Sequence, residues 1–208
     1  MIILMEHVDV DKTSKEELGS KIGGGTCVEH QQLKKMIRKA KHGNREAFEE
    51  LVRLYKGKVY RHALAMVRDP LAAEDITQEA FVKAFFQLRK LEEEVAFVAW
   101  LTRIVRNLCL DYLKKAKRET TTDDVWLEQP ESSATSQSEG QSVNRLMIQE
   151  GLSRLSLEHR EVIILRDIQG FSYQEIADQL NIPLGTVKSR INIARTSLKS
   201  FLLEGEEG

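Results

Sequence analysis

Between Gly185 and Lys199 the chain carries four cations, Lys188, Arg190, Arg195 and Lys199, and no carboxylate, interspersed with the short polar residues Thr186, Ser189 and Asn192. Cationic side chains neutralise phosphates, and short hydroxyl and amide groups reach base edges, so this set suits contact with duplex DNA rather than bond-breaking chemistry. A second basic run, Arg103, Arg106, Lys114, Lys115, Lys117 and Arg118, is interrupted only by Asp111 and interleaved with Trp100, Asn107 and Tyr112. Phosphates can be neutralised there while an aromatic ring stacks an unpaired base. A third cluster, Glu74, Asp75, Gln78 and Glu79, has helical spacing and forms a polar face that fits basic residues of a partner protein.

No catalytic set accompanies these clusters. His7, His30, His42, His62 and His159 are scattered, and no glycine-rich phosphate loop or nucleophile-base set is present. The sequence therefore predicts a protein that is not an enzyme and needs no cofactor. Cys27 and His30 have the spacing of half a zinc site, but no second pair follows, so no metal is expected.

The elements that must position these residues are helices. Ser172 can cap a short helix with Glu175 as its capping-box partner, Asn181 suits a left-handed turn, and Pro183 discourages the helix from running on. A second helix then carries Val187, Ile191, Ala194 and Leu198 as one apolar stripe, its other faces holding the cations. This is a helix-turn-helix preceded by a further helix over 156–167. Helical periodicity is nearly continuous over 32–118. Its third long segment predicts a core stripe of Phe97, Leu101, Ile104 and Leu108, with Cys109 in the core.

These patterns predict an all-α fold of two small helical domains joined by a flexible acidic linker. The divisions are a flexible N-terminal extension over 1–31, a helical domain over 32–118, the linker over 119–142, the helix-turn-helix domain over 143–203 and an acidic tail over 204–208. The linker holds Glu119, Asp123, Asp124, Glu128, Glu131 and Glu139 with no Lys or Arg, and cannot bury enough apolar area to fold alone. Extended, it spans roughly 80 Å, enough to separate two DNA contacts by about two helical turns. A formal net charge of -1 over 208 residues hides this local polarity. Two cysteines point to a reducing cytoplasm, and Met1-Ile2-Ile3-Leu4 is too short an apolar run for a signal peptide or a membrane insertion.

Taken in order, the motifs resemble one family, the bacterial RNA polymerase sigma factors of the extracytoplasmic-function (ECF) group in the sigma-70 family. Ala73-Glu74-Asp75-Ile76-Thr77-Gln78-Glu79-Ala80-Phe81 and Phe97-Val98-Ala99-Trp100-Leu101-Thr102-Arg103-Ile104-Val105-Arg106-Asn107 are similar to the family's region 2, and Leu155 through Arg195 to its region 4. The resemblance implies that Asp75, Gln78 and Glu79 dock the clamp helices of the polymerase largest subunit, with the flap of the second-largest subunit as a further contact. It implies that the Leu88–Val95 loop with Trp100, Arg103, Arg106, Asn107, Lys114 and Lys115 holds the minus-10 element. Thr186, Lys188, Ser189, Arg190, Asn192 and Arg195 would read or clamp the minus-35 element, and an anti-sigma factor would be a further partner. The match departs at Glu92-Glu93-Glu94, where small polar residues are commoner, at Thr102 for a frequent aromatic, at Asn181 for a usual Gly, and at Ile193 for a frequent cation.

The competing class is a dimeric helix-turn-helix regulator that binds DNA without polymerase. It accounts for Ser156 to Lys199 but leaves the acidic and aromatic-basic clusters without a role. For the half zinc site, elemental analysis of purified protein should find no stoichiometric metal, and Cys27→Ser should leave that result unchanged.

Overall fold

The computed structural model describes residues 27–120 and 139–204. Most of the expected extension, linker and tail lie outside the described residues. The described residues form eight α-helices: α1 (Cys27–Lys41), α2 (Arg45–Val67), α3 (Pro70–Gln87), α4 (Phe97–Thr120), α5 (Glu139–Arg154), α6 (Leu157–Ile163), α7 (Tyr173–Leu180) and α8 (Leu184–Glu204). Two 3-10 turns, Leu88–Lys90 and Glu94–Ala96, join α3 to α4, and α6 continues into a π turn over Ile164–Ile168. No strand occurs among the described residues, in line with the all-α expectation. The first helix starts at Cys27, ahead of the expected boundary at 32, so Cys27 and His30 stand on a helix rather than in a loose segment.

Local chemistry accounts for the ends of these helices. Asn44 caps α2 by accepting from the Ala47 amide at 2.7 Å. Arg68, left-handed at φ 64, stops α2, and Asp69 then caps α3 by accepting from the Leu71 amide at 2.9 Å, with Pro70 opening the helix. The Tyr112 hydroxyl donates to the other Asp69 oxygen at 3.0 Å, which ties α4 to that turn. In the C-terminal half the capping box of Ser172 and Glu175 is complete, and Asn181 ends α7 at φ 53. Both features were legible as sequence.

Leu51, Ala63, Met66, Ala73, Ala80, Leu88 and Phe97 fill the core of α1 to α4. The stripe on α4 is broader than its periodicity predicted. Val105 and Cys109 are fully buried while Ile104 is only half-buried, because α2 and α3 both pack on this helix and bury a wider arc than one neighbour would. Burial pushes the Cys109 thiol up to about 12, which makes it an inert core residue.

In the C-terminal half Leu152, Val162, Ile164, Leu165, Phe171, Ile176, Val187, Ile191 and Ala194 are buried where α6, α7 and α8 converge. Arg160 is buried there too, at 7% exposure. Its guanidinium donates to the carbonyls of Leu152 (2.8 Å), Ser153 (3.2 Å) and Leu155 (3.1 Å) around the end of α5, and to that of Met66 (3.0 Å) near the end of α2. The two halves are thereby joined.

Gly151 lets α5 lie close on α8. A Cβ at this position would meet Leu198 Cδ2 at 3.0 Å and Phe201 Cδ1 at 3.1 Å. Gly151→Leu should overpack the contact and cost about 1–3 kcal/mol in urea unfolding, with α1 to α4 unaffected by near-ultraviolet dichroism of Trp100.

Candidate nucleic-acid and polymerase interface

Helix α4 carries polar residues on two sides. Trp100, Arg103, Asn107 and Lys114 recur at i, i+3, i+7 and i+14 and share one face. Arg103, Asn107 and Lys114 are exposed, and Trp100 is half-buried, its ring 6.0 Å from that of Phe97 at an interplanar angle of 40°. One side of the indole is therefore packed while the rest faces out beside cations, as a stacking platform requires. Lys115 is exposed on the flank of this face. Arg106 points elsewhere. Its guanidinium pairs with Glu161 of α6, and the two side chains are 24% and 9% exposed.

The loop before α4 is anchored from both ends. Leu88 and Leu91 are buried, Arg38 of α1 pairs with Glu94 at 3.2 Å, and Lys41 donates to the Glu92 carbonyl at 3.3 Å. The hydrogen bond from Arg38 holds the Glu94 carboxyl below the usual range. One of the three acids that depart from the family pattern is thus committed to α1, and of the three Glu92 and Glu93 stand exposed.

On α8 the apolar stripe lies inward as expected, with Val187, Ile191 and Ala194 buried. Lys188, Asn192, Arg195 and Lys199, at i, i+4, i+7 and i+11, form one exposed stripe, and Ser189 borders it. Thr186 and Arg190 lie off that stripe. Thr186 is half-buried, its carbonyl accepting from the Ser189 hydroxyl at 3.0 Å. Arg190 turns back to α6 and pairs with Glu158 at 2.7 Å. Arg195 pairs with Asp167 at 2.6 Å, a bond that raises its pKa further. Of the six residues expected together, Lys188, Ser189, Asn192 and Arg195 lie on or beside the outward stripe, while Thr186 and Arg190 lie off it, Arg190 facing α6.

The acidic cluster on α3 is outward as expected, with Glu74, Asp75, Gln78 and Glu79 all exposed and Glu79 paired to Lys83 at 2.9 Å. Sequence reasoning missed its surroundings. Leu71, Val82 and Phe86 are 75%, 55% and 74% exposed and fall on the same face at i, i+11 and i+15. Large exposed apolar side chains rimmed by charge mark a protein-docking surface. The signal was available as apolar residues in register with the acids rather than with the core.

Comparison with known proteins matches this geometry. The family description Sigma-70 region 2 covers residues 51–119, and Sigma-70, region 4 covers residues 145–198. The ECF RNA polymerase sigma factor SigW of Bacillus subtilis is 33% identical over 187 residues, which is 82% of this chain and 96% of SigW. The chain belongs to the ECF sigma factors. Among solved structures, the sigma factor RpoE of Bartonella quintana in complex with the anti-sigma factor NepR superposes with a TM-score of 0.66 at 30% identity, covering 74% of this chain and 96% of that one. CnrH in complex with the cytosolic domain of CnrY superposes with a TM-score of 0.64 at 25% identity, covering 82% and 96%. This sigma factor binds core RNA polymerase and directs promoter-specific initiation, its first domain serving the minus-10 element and its second the minus-35 element. The polymerase-independent regulator is set aside.

In the free sigma factor each buried or exposed arginine pair has a different energetic weight. Exposed ion pairs contribute little, and partly buried ones cost much when one partner is removed. Glu158→Gln, at an exposed carboxylate, should change stability by less than about 1 kcal/mol and its effect should vanish in about 1 M salt. Glu161→Gln, which strands the half-buried Arg106, should cost about 3 kcal/mol in the same thermal unfolding series and keep most of that cost at high salt.

Proposed function

We propose that the two contacts of this sigma factor divide recruitment from strand opening, within units of 32–118 and 143–203. The observation that carries this is the separation of two outward cationic faces on different helices, Trp100-Arg103-Asn107-Lys114 on α4 and Lys188-Asn192-Arg195-Lys199 on α8. The α4 face, with Lys115 at its flank, takes the opened minus-10 strand: its cations meet phosphates and the exposed part of Trp100 stacks a base. The α8 stripe, with Ser189, lies along the minus-35 major groove. Thr186 and Arg190 act from its flank, Arg190 exchanging Glu158 for a phosphate. Arg106 joins the minus-10 contact once its pairing with Glu161 is given up.

Asp75, Gln78 and Glu79, with the apolar Leu71, Val82 and Phe86 beside them, dock the clamp helices of the polymerase largest subunit, acids meeting basic residues and the apolar groups supplying buried area. The region 4 half takes the flap of the second-largest subunit. Most of the acidic run over 119–142, residues 121–138, lies outside the described residues; its six carboxylates without a cation suit a path otherwise used by nucleic acid. An anti-sigma factor is a further partner, as the complex of RpoE with NepR illustrates for that relative. The cytoplasm, where the polymerase works, is the proposed location. No described helix is long and apolar enough to cross a membrane.

Transcription reconstituted with core polymerase tests the division. Arg195→Ala and Arg190→Ala should each weaken recruitment to a minus-35-dependent promoter, by about 1–3 kcal/mol for a base contact, or by loss of about one unit of salt slope for a phosphate contact. Trp100→Ala should spare recruitment and reduce permanganate reactivity of the opened strand. Unchanged initiation in both arginine variants would show that α8 is misplaced.

A further inference from the structure

The two halves meet along one face of α2. Gln169 donates to the Lys58 carbonyl at 3.3 Å, and Arg160 to the Met66 carbonyl at 3.0 Å. Those carbonyls stand at i and i+8, about two helical turns apart, and His62 occupies the turn between them at i+4. His62 is 2% exposed, and neither ring nitrogen has a hydrogen-bond partner among the described residues. A cavity of about 10 Å³, the space of one water, adjoins the ring and is lined by Tyr55, Lys58, Thr102, Val105 and Gln169. Gln169 belongs to the C-terminal half, so the imidazole is sealed in at the junction. Arg106 stands near enough to act on it electrostatically, and Glu161 of α6 holds Arg106 there.

We propose that His62 makes the closed arrangement an acid-released latch, in which protonation of the imidazole parts α2 from α6 and frees Arg106 from Glu161.

The surroundings explain why the ring cannot charge in place. The titratable and charged groups around it are Tyr55 and Lys58 on its own helix, Arg106 on α4, and Arg160 and Glu161 on α6. Three of these are cations, and the only carboxylate among them is already engaged by Arg106. A second N–H on the ring would therefore enter a desolvated site with no acceptor and a guanidinium nearby. Burial first, and the Arg106 charge second, pull the ring from 6.5 to about 4. Parting the halves admits water to the α2 face and returns the ring towards its ordinary value.

The sign follows by linkage. Above about pH 6.5 neither state protonates His62, and the closed arrangement keeps its full advantage. As pH falls through 6.5 towards 4 only the open state takes up the proton, so the closed state is progressively lost. Between pH 7.5 and 5.5 the closed-to-open ratio should fall about tenfold. Arg106, one of the residues assigned above to the minus-10 contact, is then released. That consequence rests on the functional assignment, whereas the latch itself does not.

The test uses the full chain without DNA or polymerase. Small-angle scattering at pH 7.5 and 5.5, with helix content checked by circular dichroism, should show the wild type expanding at the lower pH with its helices intact. His62→Met, of similar volume and without a titrating group, should hold one radius of gyration at both. A wild type that stays compact, or a His62→Met that expands over the same pH range, overturns the proposal. If His62→Met does not fold, proton NMR of the wild-type imidazole decides. A midpoint below about 5, returning towards 6.5 in Glu161→Lys, supports the latch, and a midpoint near 6.5 in both overturns it. Failure of the promoter assignment would appear separately, as an Arg106→Ala chain that opens the minus-10 element normally.

Discussion

At the junction of α2, α5 and α6 a guanidinium is held by four backbone carbonyl oxygens. The final turns of a helix leave carbonyls without amide partners and carry partial negative charge. Arg160 brings planar, fixed donors to three such groups around the end of α5 and one near the end of α2. Burial lowers its pKa to about 10, with the Arg68 charge adding to the effect, which still leaves the group charged at neutral pH. A buried cation is costly unless its hydrogen bonds are satisfied, so this geometry admits little displacement. Because Glu161 is the next residue, fixing Arg160 against α2 also directs Glu161 towards α4. The pairing of Arg106, the burial of His62 and the abutment of the two halves all depend on that one placement.

Three of the arginines assigned to DNA are arranged against the protein's own carboxylates. Arg106 meets Glu161, Arg190 meets Glu158 and Arg195 meets Asp167, all three acids lying on α6 or the π turn that continues it. In the free chain these carboxylates occupy the arginines proposed to meet phosphate. The pairs of Arg190 and Arg195 lie largely at the surface, where ion pairs are weak and exchange readily for phosphate oxygens. The pair of Arg106 is more deeply buried, and separating it strands charge, so its release needs a concerted movement of the two halves. Lys188, Asn192 and Lys199 remain on an exposed stripe throughout.

Much of this was legible in the sequence where the determinant is local. The capping box of Ser172 and Glu175, the left-handed Asn181 and the Val187-Ile191-Ala194 stripe each depend on residues within a few turns, and each is where spacing placed it. The acidic face of α3 was legible for the same reason. What was illegible involved partners far apart in the chain. Val105 displaced Ile104 from the core because two helices cover α4. Leu71, Val82 and Phe86 stood out as exposed only once the buried face of α3 was known.

Residue type and spacing alone therefore determined an all-helical chain, the ends of several of its helices, and the basic character of α4 and α8. Those properties follow from backbone propensity, side-chain period and local charge, which act over a few residues. Only the tertiary structure decided which cations face outward, that Arg106 and Arg190 are turned towards α6, and that His62, one scattered histidine among five in the sequence, lies sealed at the junction. The physical reason is that orientation and desolvation are set by what packs against a side chain. For Arg106, His62 and Arg160 those neighbours come from the other half of the chain.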